Sequence, residues 1–298
     1  MIPDARLGLA VSGGPDSLAL LLLAHAALPD QIAAATVDHG LRPESAAEAA
    51  LVAQVCGQLG VPHQILRVTV EPGNVQAAAR SARYAALADW LAASGLAALL
   101  TAHHADDQAE TLVMRLNRGS GVAGLAGVRA VGRVPETQLP LLRPLLDWRR
   151  DELGAIVAAA GLAAVNDPSN ADPHFDRVRI RNALASAEWL DVPALAASAA
   201  HLADADAALS WAAAREWSEC VTKVPMGLAY RPAAPRAIAL KVIARMVLEL
   251  AGEEPRGSAV ARVFDSLLAK QPASIGSLVA RAGPDGWSFT KAPARRAT

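Results

Sequence analysis

The chain has 298 residues, a formal net charge of −1 and a hydrophobic share of 53% that is largely alanine, with only 4% aromatic residues. This length allows one large domain or two smaller ones, and the alanine content favours helices. The near-neutral charge counts against a pure RNA-binding module, and the two cysteines match no metal or redox spacing. The longest uncharged runs, 17–29 and 90–102, are too short to span a bilayer, and no signal-peptide pattern opens the chain. We therefore expect a cytoplasmic protein with no membrane partner.

The first predicted unit is a short buried strand, a small-residue turn and an apolar helix. The turn reads Ser12-Gly13-Gly14-Pro15-Asp16-Ser17. Its glycines let backbone amides approach an anion, and the N-terminus of the following helix favours negative charge. The turn lacks the Gly-Lys-Ser/Thr ending of a Walker loop and the G-x-G-x-x-G pattern of a dinucleotide site. Asp16 and Ser17 can cap the helix or face a ligand or metal ion. The pattern predicts a phosphate-binding loop.

Alternating strands and helices follow through residue 117. Strands are predicted at 7–11, 31–37, 65–70 and 96–102. Helices are predicted at 44–59, at 75–93 and, following His103-His104, to about residue 117. Such alternation indicates an α/β fold with a doubly wound parallel sheet covered on both faces. Ligands of these sheets bind beyond the carboxyl ends of the strands. We therefore expect the phosphate loop, Asp38-His39 and His103-His104 to converge on one cleft.

Two interpretations of Asp38 and His39 stay open on spacing alone. The sequence Asp38-His39-Gly40 suits a turn with a left-handed glycine. Equally, it places a carboxylate beside the cleft, for metal binding or for steering a nucleophile.

The helix that follows His103-His104 begins with an acidic cluster. Asp107 and Glu110 are i,i+3 neighbours, and His103 would face Asp107 if the first turn began that early. Two carboxylates on one face can bind an ammonium group or Mg²⁺. A zinc or other transition-metal site is a further alternative, although neither H-E-x-x-H nor a cysteine partner is present. The alternative is a solvated, acid-rich helix N-terminus that the helix dipole favours.

The rest of the chain gives weaker signals. A glycine-rich loop follows Gly119, a helix is predicted at 147–160, and 166–170 is a turn-rich break. Three arginines lie close together in the sequence, at positions 177, 179 and 181. They would share one face if the segment were extended, but they would point in different directions on a helix. They suit contacts with phosphates or bases, or surface ion pairs with Asp172 and Asp176. Helices are predicted at 194–221, 236–251 and 257–270. The segment 225–235 breaks the helical pattern, and the tail 291–298 is predicted to be disordered.

Eight strings, in order, resemble one family. They are SGGPDS from Ser12, VDHGLR from Val37, GNVQAAARSARY from Gly73, TAHHADDQAET from Thr101, RLNRGSG from Arg115, LLRPLL from Leu141, NDPSN from Asn166 and RIRN from Arg179. The loop resembles that of the PP-loop ATP pyrophosphatases. The whole set, spanning residues 7–185, resembles the tRNA(Ile)-lysidine synthetase family within that superfamily.

The resemblance implies a ligase that uses ATP and Mg²⁺. It would adenylate the wobble cytidine of tRNA(Ile) with anticodon CAU, and the amino group of L-lysine would then displace AMP to leave lysidine. It also implies a PP-loop catalytic domain at 1–190 and a small, mainly helical C-terminal domain at 191–298. Many family members carry two C-terminal lobes, whereas only residues 194–298 follow here, so we expect one helical lobe. A homodimer is compatible with the sequence, but nothing demonstrates it.

The family's motifs also imply roles for individual residues. The catalytic residues would be Asp16, Asp38, Asp107 and Glu110. ATP would contact Ser12, Gly13, Gly14, Pro15, Asp16, Ser17, Val37 and His39, with Asp16 near Mg²⁺. Lysine would contact Asp107, Glu110, Asp38, Arg80 and Arg83. Contacts with tRNA are predicted, on charge more than on motif, for Arg118, Arg177, Arg179 and Arg181.

Rival functions fit the sequence less well. A tRNA-thiolating relative would need cysteine pairs, whereas Cys56 and Cys220 are isolated. Synthetases that form GMP, NAD or asparagine would share the loop but not the later strings. A non-catalytic tRNA-binding or nucleotide-sensing protein on the same fold would have no need for the four catalytic acids.

Overall fold

A computed structural model describes residues 5–40, 44–69, 75–165, 174 and 176–292. The chain divides into two compact units, one of residues 1–120 with 124–201 and one of residues 121–123 with 202–298. The domain boundary expected after residue 190 stays a prediction. The predicted break at 166–170 and most of the tail predicted to be disordered, from residue 293, lie outside the described residues.

The first unit contains a six-stranded sheet. Its strands are β1 (Leu7–Ala10), β2 (Ile32–Asp38), β3 (His63–Arg67), β4 (Leu99–Leu100), β5 (Val131–Arg133) and β6 (Pro140–Leu142). They lie in the order β3-β2-β1-β4-β6-β5, and every pairing is parallel except that of β5 with β6. In this register Leu9 pairs with both Ala34 and Leu100. The predicted doubly wound parallel sheet is confirmed, and the short strands β5 and β6 were not predicted.

Helices cover both faces of this sheet. Along residues 15–186 the helices are α1 (Pro15–Ala27), α2 (Ser45–Leu59), α3 (Val75–Ala93), α4 (Ala105–Asn117), α5 (Val122–Leu125), α6 (Arg150–Ala159) and α7 (Asp176–Ser186). Apolar side chains of α1, α2 and α6 pack together on one face, and those of α3 pack on the other. A Cβ on Gly8 would lie 2.6 Å from Leu91 Cδ2 and 2.7 Å from Trp90 Cζ3, so glycine in β1 allows α3 to pack closely.

The second unit combines helices with an antiparallel sheet. Helix α8 (Val192–Cys220) leads into it, and α9 (Arg236–Ala251) and α10 (Gly257–Leu268) belong to it. Its strands are β7 (Val221–Val224), β8 (Gly227–Tyr230), β9 (Ala273–Ile275), β10 (Leu278–Gly283) and β11 (Gly286–Lys291), in the order β7-β8-β11-β10-β9. The three predicted helices are confirmed, but the five strands were missed, because each is only three to six residues long and alternation over so few residues is a weak signal.

The second unit has its own apolar core. Tyr230, Met246 and Phe289 are fully buried, and the Trp287 ring makes edge-on contacts with Tyr230 and Phe264. Within the described residues, no helix is both long enough and apolar enough to cross a membrane.

Candidate functional site

The loop after β1 is held in shape by Ser17. The Ser17 hydroxyl is buried, accepts the backbone N–H of Ser12 at 3.1 Å and donates to the Gly14 carbonyl at 2.9 Å. Gly13 has a φ of +88°, and its carbonyl accepts the Val165 N–H at 2.9 Å. The loop therefore takes a conformation that glycine favours, at the N-terminus of α1, where free backbone N–H groups suit a phosphate.

Asp16 faces a buried histidine instead of capping α1, which begins at Pro15. Asp16 Oδ2 lies 3.5 Å from His104 Nε2, and His104 is 1% exposed. Asp106 and Asp107 each have a carboxylate oxygen 3.6 Å from the same ring. Burial alone would lower the pKa of His104, but Asp106, Asp16 and Asp107 outweigh it and raise the pKa to about 9. A positive charge thus links the phosphate loop to the start of α4.

Asp38 closes β2 in a turn. Its Oδ1 accepts the Ser45 hydroxyl at 2.7 Å and the Gly40 N–H at 2.9 Å, and these bonds lower the pKa of the carboxyl group. Its other oxygen makes no hydrogen bond within the described part of the chain. Burial and Arg83 lower the pKa of the neighbouring His39. Both interpretations of Asp38 are therefore compatible with the geometry, since one oxygen forms the turn and the other is available to a ligand.

His103 lies in a cationic pocket and does not face Asp107. Because α4 begins at Ala105, His104 takes that position, while His103 Nδ1 lies 3.0 Å from Thr101 Oγ1. Burial, together with nearby guanidinium groups, lowers the pKa of His103 to about 3, so the ring is neutral. The guanidinium groups belong to Arg143, Arg177, Arg80 and Arg83. This pocket suits an anionic part of a ligand.

Tyr84 forms the aromatic side of this pocket. The guanidinium carbons of Arg80 and Arg83 lie 5.0 and 5.1 Å from the centre of its buried ring. Arg143 donates to the Arg129 carbonyl at 2.7 Å, which directs a guanidinium group from the end of β6 toward the same region. The two predicted arginines of α3 are thus brought together with His103.

The predicted acids of α4 are bound by arginines. Arg177 donates from Nη2 to Asp107 at 2.8 Å and from Nε to Glu110 at 2.7 Å. Arg181 and Arg150 also donate to Glu110, at 2.7 and 3.1 Å. Asp107 in addition accepts the His104 backbone N–H at 3.2 Å, the reciprocal half of a capping box.

The four arginines predicted to contact tRNA separate into two pairs. The segment that carries Arg177, Arg179 and Arg181 forms the helix α7, so these side chains do not share one face. Arg177 and Arg181 turn inward to the acids of α4. Arg118 and Arg179 are 60% and 65% exposed, and both pair with Asp176. They border a hollow of about 330 Å³ lined by Met114, Asn117, Arg118, Asp176, Arg179, Ile180 and Ala183. The second predicted acidic partner, Asp172, lies outside the described residues.

Several residues of this site have no role in the sequence-based predictions. His104 belongs to the TAHHADDQAET string, but a helix that begins early enough to place His103 opposite Asp107 gives His104 no role. Asp106 accepts Arg149 Nε and Nη2 at 3.2 and 3.1 Å and the Arg150 N–H at 2.8 Å, so it ties α6 to α4. Arg143 lies inside the LLRPLL string, which was the available signal for it.

The site offers few protein ligands for a metal ion. No group of three or more His, Cys, Asp or Glu side chains among the described residues is arranged to bind one. Asp16 Oδ1, however, is buried and has no hydrogen-bond partner within the same part of the chain. Mg²⁺ is commonly held by one or two carboxylates together with substrate phosphates, so this oxygen fits such an ion.

Comparison with known proteins identifies relatives over nearly the whole chain. Residues 2–188 match the model of the PP-loop domain family. A tRNA(Ile)-lysidine synthase of Novosphingobium aromaticivorans is 51% identical over 99% of this chain and 91% of its own length. The protein of the same name from Zymomonas mobilis subsp. mobilis is 42% identical over 98% and 90%.

Among solved structures, a U34-tRNA thiolase NcsA from Methanococcus maripaludis superimposes with a TM-score of 0.54 at 18% identity, covering 66% of this chain and 71% of its own. At that identity the likeness concerns the fold alone. The relatives identical at 40% or more settle the family: the chain belongs to the tRNA(Ile)-lysidine synthase family of PP-loop proteins.

Proposed function

We propose that this chain ligates L-lysine to the wobble cytidine of tRNA(Ile) with anticodon CAU. The names of its relatives support this substrate. The observation that carries the proposal is the convergence of a phosphate loop, Asp16 and a cationic pocket at one edge of the parallel sheet. We place the enzyme in the cytoplasm. Its predicted homodimer stays a prediction.

The proposed reaction has two balanced steps. In the first, a ring carbonyl oxygen of cytidine attacks the α-phosphorus of ATP, the bond to the β-phosphate breaks and pyrophosphate leaves. In the second, an amino nitrogen of lysine attacks the ring carbon, the carbon–oxygen bond breaks and AMP leaves with that oxygen. The lysine nitrogen loses its proton, and lysidine remains.

The phosphate loop would hold the pyrophosphate. The backbone of residues 12–17 and the start of α1 supply N–H groups, and Val37 and His39 lie where the next strand ends. Asp16 would hold Mg²⁺ together with the phosphates, and that ion would offset charge developing on the leaving pyrophosphate. His104 keeps a positive charge against Asp16 and fixes its carboxylate.

Lysine would lie near the carboxylates at the ends of β2 and at the start of α4. Asp38 offers an oxygen without a hydrogen bond in the described residues, and Asp107 lies in the first turn of α4, which follows β4. Arg80 and Arg83 would neutralise a carboxylate or a phosphate in the cationic pocket. Glu110 was predicted in the same role and stays a proposed lysine contact, one helical turn beyond Asp107 on α4.

The exposed arginines are the proposed tRNA contacts. Arg118 and Arg179 point outward beside the hollow between α4 and α7, where a phosphate could displace Asp176. If each arginine contacts one phosphate, Arg118→Ala or Arg179→Ala weakens tRNA binding and reduces the logarithmic salt dependence of binding by about 0.9. Binding isotherms at several salt concentrations measure this, with Arg256→Ala in the second unit as the control.

Incorporation of radiolabelled lysine into unmodified tRNA(Ile) (CAU) with ATP and Mg²⁺ tests the proposed function. We expect ATP-dependent incorporation that disappears when the wobble base is not cytidine. Asp16→Asn should lower the rate about 100-fold or more, whereas Asp89→Asn on the exposed side of α3 should leave it unchanged. ATP turnover without lysine incorporation by the unmodified protein would refute the proposed substrates.

A further inference from the structure

The peptide group between Val11 and Ser12 carries the chain from β1 into the phosphate loop. Its carbonyl accepts the hydroxyl of Thr36 in β2 at 2.8 Å, and its N–H donates to the Ser17 hydroxyl at 3.1 Å. Because a peptide group is planar, two hydroxyls bonded to its opposite sides fix how the backbone turns at this point. The N–H groups that follow in the loop take their direction from that plane.

Thr36 makes this bond where the pairing of β1 with β2 stops. The last register pair joins Ala10 to Ala35, and the Val11 N–H still donates to the Ala35 carbonyl at 2.9 Å. Val11 is 1% exposed and Thr36 is 4% exposed, so bulk water does not reach this bond. Removing the hydroxyl would deprive a buried carbonyl of this donor, which favours a different orientation of the peptide group.

His63 of β3 orients the Thr36 hydroxyl. Its Nε2 lies 2.9 Å from Thr36 Oγ1. The hydroxyl has one proton and gives it to the Val11 carbonyl, so His63 must donate from Nε2. Burial lowers the pKa of His63 below its ordinary value of 6.5, so near neutral pH the ring is neutral with its proton on Nε2. His63 pairs with Ala34, two residues before Thr36, and alternate residues of a strand face the same side.

We propose that Thr36, oriented by His63, is a positioning residue that shapes the phosphate loop for ATP. The inference rests on the proposed function in assigning the ATP phosphates to this loop. Ser17 holds the entry to the loop from within, whereas Thr36 and His63 connect it to two neighbouring strands. Neither of these two side chains has to touch ATP. Without their bonds the loop amides would point away from the phosphates, so the loss falls on the affinity for ATP.

The dissociation constant of ATP tests this role, measured with Mg²⁺ by isothermal titration calorimetry in the absence of tRNA and lysine. Thr36→Val keeps the shape of the side chain and removes its hydroxyl, and we expect the dissociation constant to rise about tenfold. Thr36→Ser keeps the hydroxyl and should bind ATP within about threefold of the unmodified protein. A rise below about threefold in Thr36→Val, or an equal rise in Thr36→Ser, would overturn the proposal.

Thr137→Val is the matched control. The Thr137 hydroxyl also donates to a backbone carbonyl, that of Val134 at 3.0 Å, and accepts an N–H, that of Leu139 at 3.1 Å. It lies between β5 and β6, at the opposite edge of the sheet from β3. Both valine variants should lose stability in chemical unfolding, but only Thr36→Val should bind ATP more weakly. Equal weakening in both would mean that loss of stability, and not the position of the loop, lowers the affinity.

Variants of His63 cover the case in which Thr36→Val does not fold. His63→Leu removes the donor to Thr36, and His63→Gln keeps an amide nitrogen that can reach the same place. We expect His63→Leu to raise the dissociation constant of ATP about threefold and His63→Gln to restore it. Equal dissociation constants for the two variants would contradict the proposed series of bonds.

The outcome is separable from that of the lysine assay, because ATP binding is measured without tRNA or lysine. If the unmodified protein incorporates no lysine but its variants bind ATP in the expected pattern, the proposed function fails and this inference stands. If lysine is incorporated and the pattern is absent, this inference alone fails. If the unmodified protein binds no ATP, both fail.

Discussion

At the scale of single residues, Gly13 shows how the backbone shapes the phosphate loop. Its φ is +88°, and a Cβ there would lie 3.0 Å from Val165 Cγ2. We expect Gly13→Ala to lower the free energy of unfolding by about 1–2 kcal/mol, since an L side chain is strained in this conformation. The KM for ATP should rise roughly tenfold as the loop shifts. Chemical unfolding and steady-state kinetics measure the two effects.

Gly14 supplies the matched control for that substitution. It has a φ of −70°, and the nearest atom to an added Cβ is Ser12 Oγ at 3.9 Å. Gly14→Ala should therefore leave the unfolding free energy unchanged, although a methyl group there can still hinder a bound phosphate. Equal unfolding midpoints for the two variants would show that the positive φ of Gly13 carries no strain.

His103 gives a second residue-scale prediction, on pH dependence. Its folded-state pKa of about 3 lies below the ordinary 6.5, so the unfolded chain binds the extra proton first as pH falls. The contribution of the neutral ring to the free energy of unfolding is fully present above pH 6.5 and is lost as the pH falls toward 3. Between these values the free energy of unfolding changes with a limiting slope of about 1.4 kcal/mol per pH unit. Unfolding free energies at pH 6.5 and 5 should differ less for His103→Asn than for the unmodified protein.

The control for this experiment is His201→Asn, at an exposed position of α8. It should retain the full pH dependence between 6.5 and 5. The window stays above the range in which ordinary carboxylates titrate, so the difference between the two variants isolates the buried imidazole. An unchanged slope for His103→Asn would mean that the arginines of the pocket do not act on this ring.

At the scale of elements, the sequence predicted best where periodicity is strong. Helices α2, α3 and α9 start and end within one residue of their predicted bounds, because their apolar positions recur at helical spacing. The hairpin of β10 and β11 was missed, although Gly283-Pro284-Asp285-Gly286 is a recognisable turn sequence between them. Alanine and glycine dominate β10, so its alternation between buried and exposed positions is weak in hydrophobicity.

Glu216 illustrates how the second unit fixes one of these short strands. This buried carboxylate of α8 accepts the Tyr230 hydroxyl at 3.0 Å and the N–H groups of Ala233 and Ala234 at 2.8 and 3.0 Å. Glu216→Ala leaves these donors unsatisfied and should lower the free energy of unfolding by about 3 kcal/mol. Glu219→Ala, one turn later, removes only an exposed pair with Arg215 and should cost about 0.5 kcal/mol or less. Thermal or chemical unfolding measures the stability of both variants. Equal losses of unfolding free energy would contradict the role assigned to Glu216.

At the scale of the whole molecule, the sequence predicted which segments meet but not how their side chains pair. Strand order brings the loop after β1 and the residues after β2 and β4 to one edge, which the alternating pattern predicted. The pairing of Arg177 with Glu110 joins residues far apart in the chain, and neither spacing nor composition indicates it. The motif matched Glu110 and the local charge singled out Arg177, yet only the three-dimensional contacts show that they neutralise each other.

The two compact units lead to the last prediction. Each has its own buried apolar core, so a local destabilisation should remain within its unit. Hydrogen exchange in low denaturant, followed by mass spectrometry, can report peptides of β1 and β2 separately from those of β8 and β11. Gly13→Ala should reduce protection only in the first set, and Glu216→Ala only in the second. Loss of protection throughout the chain in both variants would mean that the molecule unfolds as one cooperative unit. The two units that meet near residue 201 would then not unfold independently of each other.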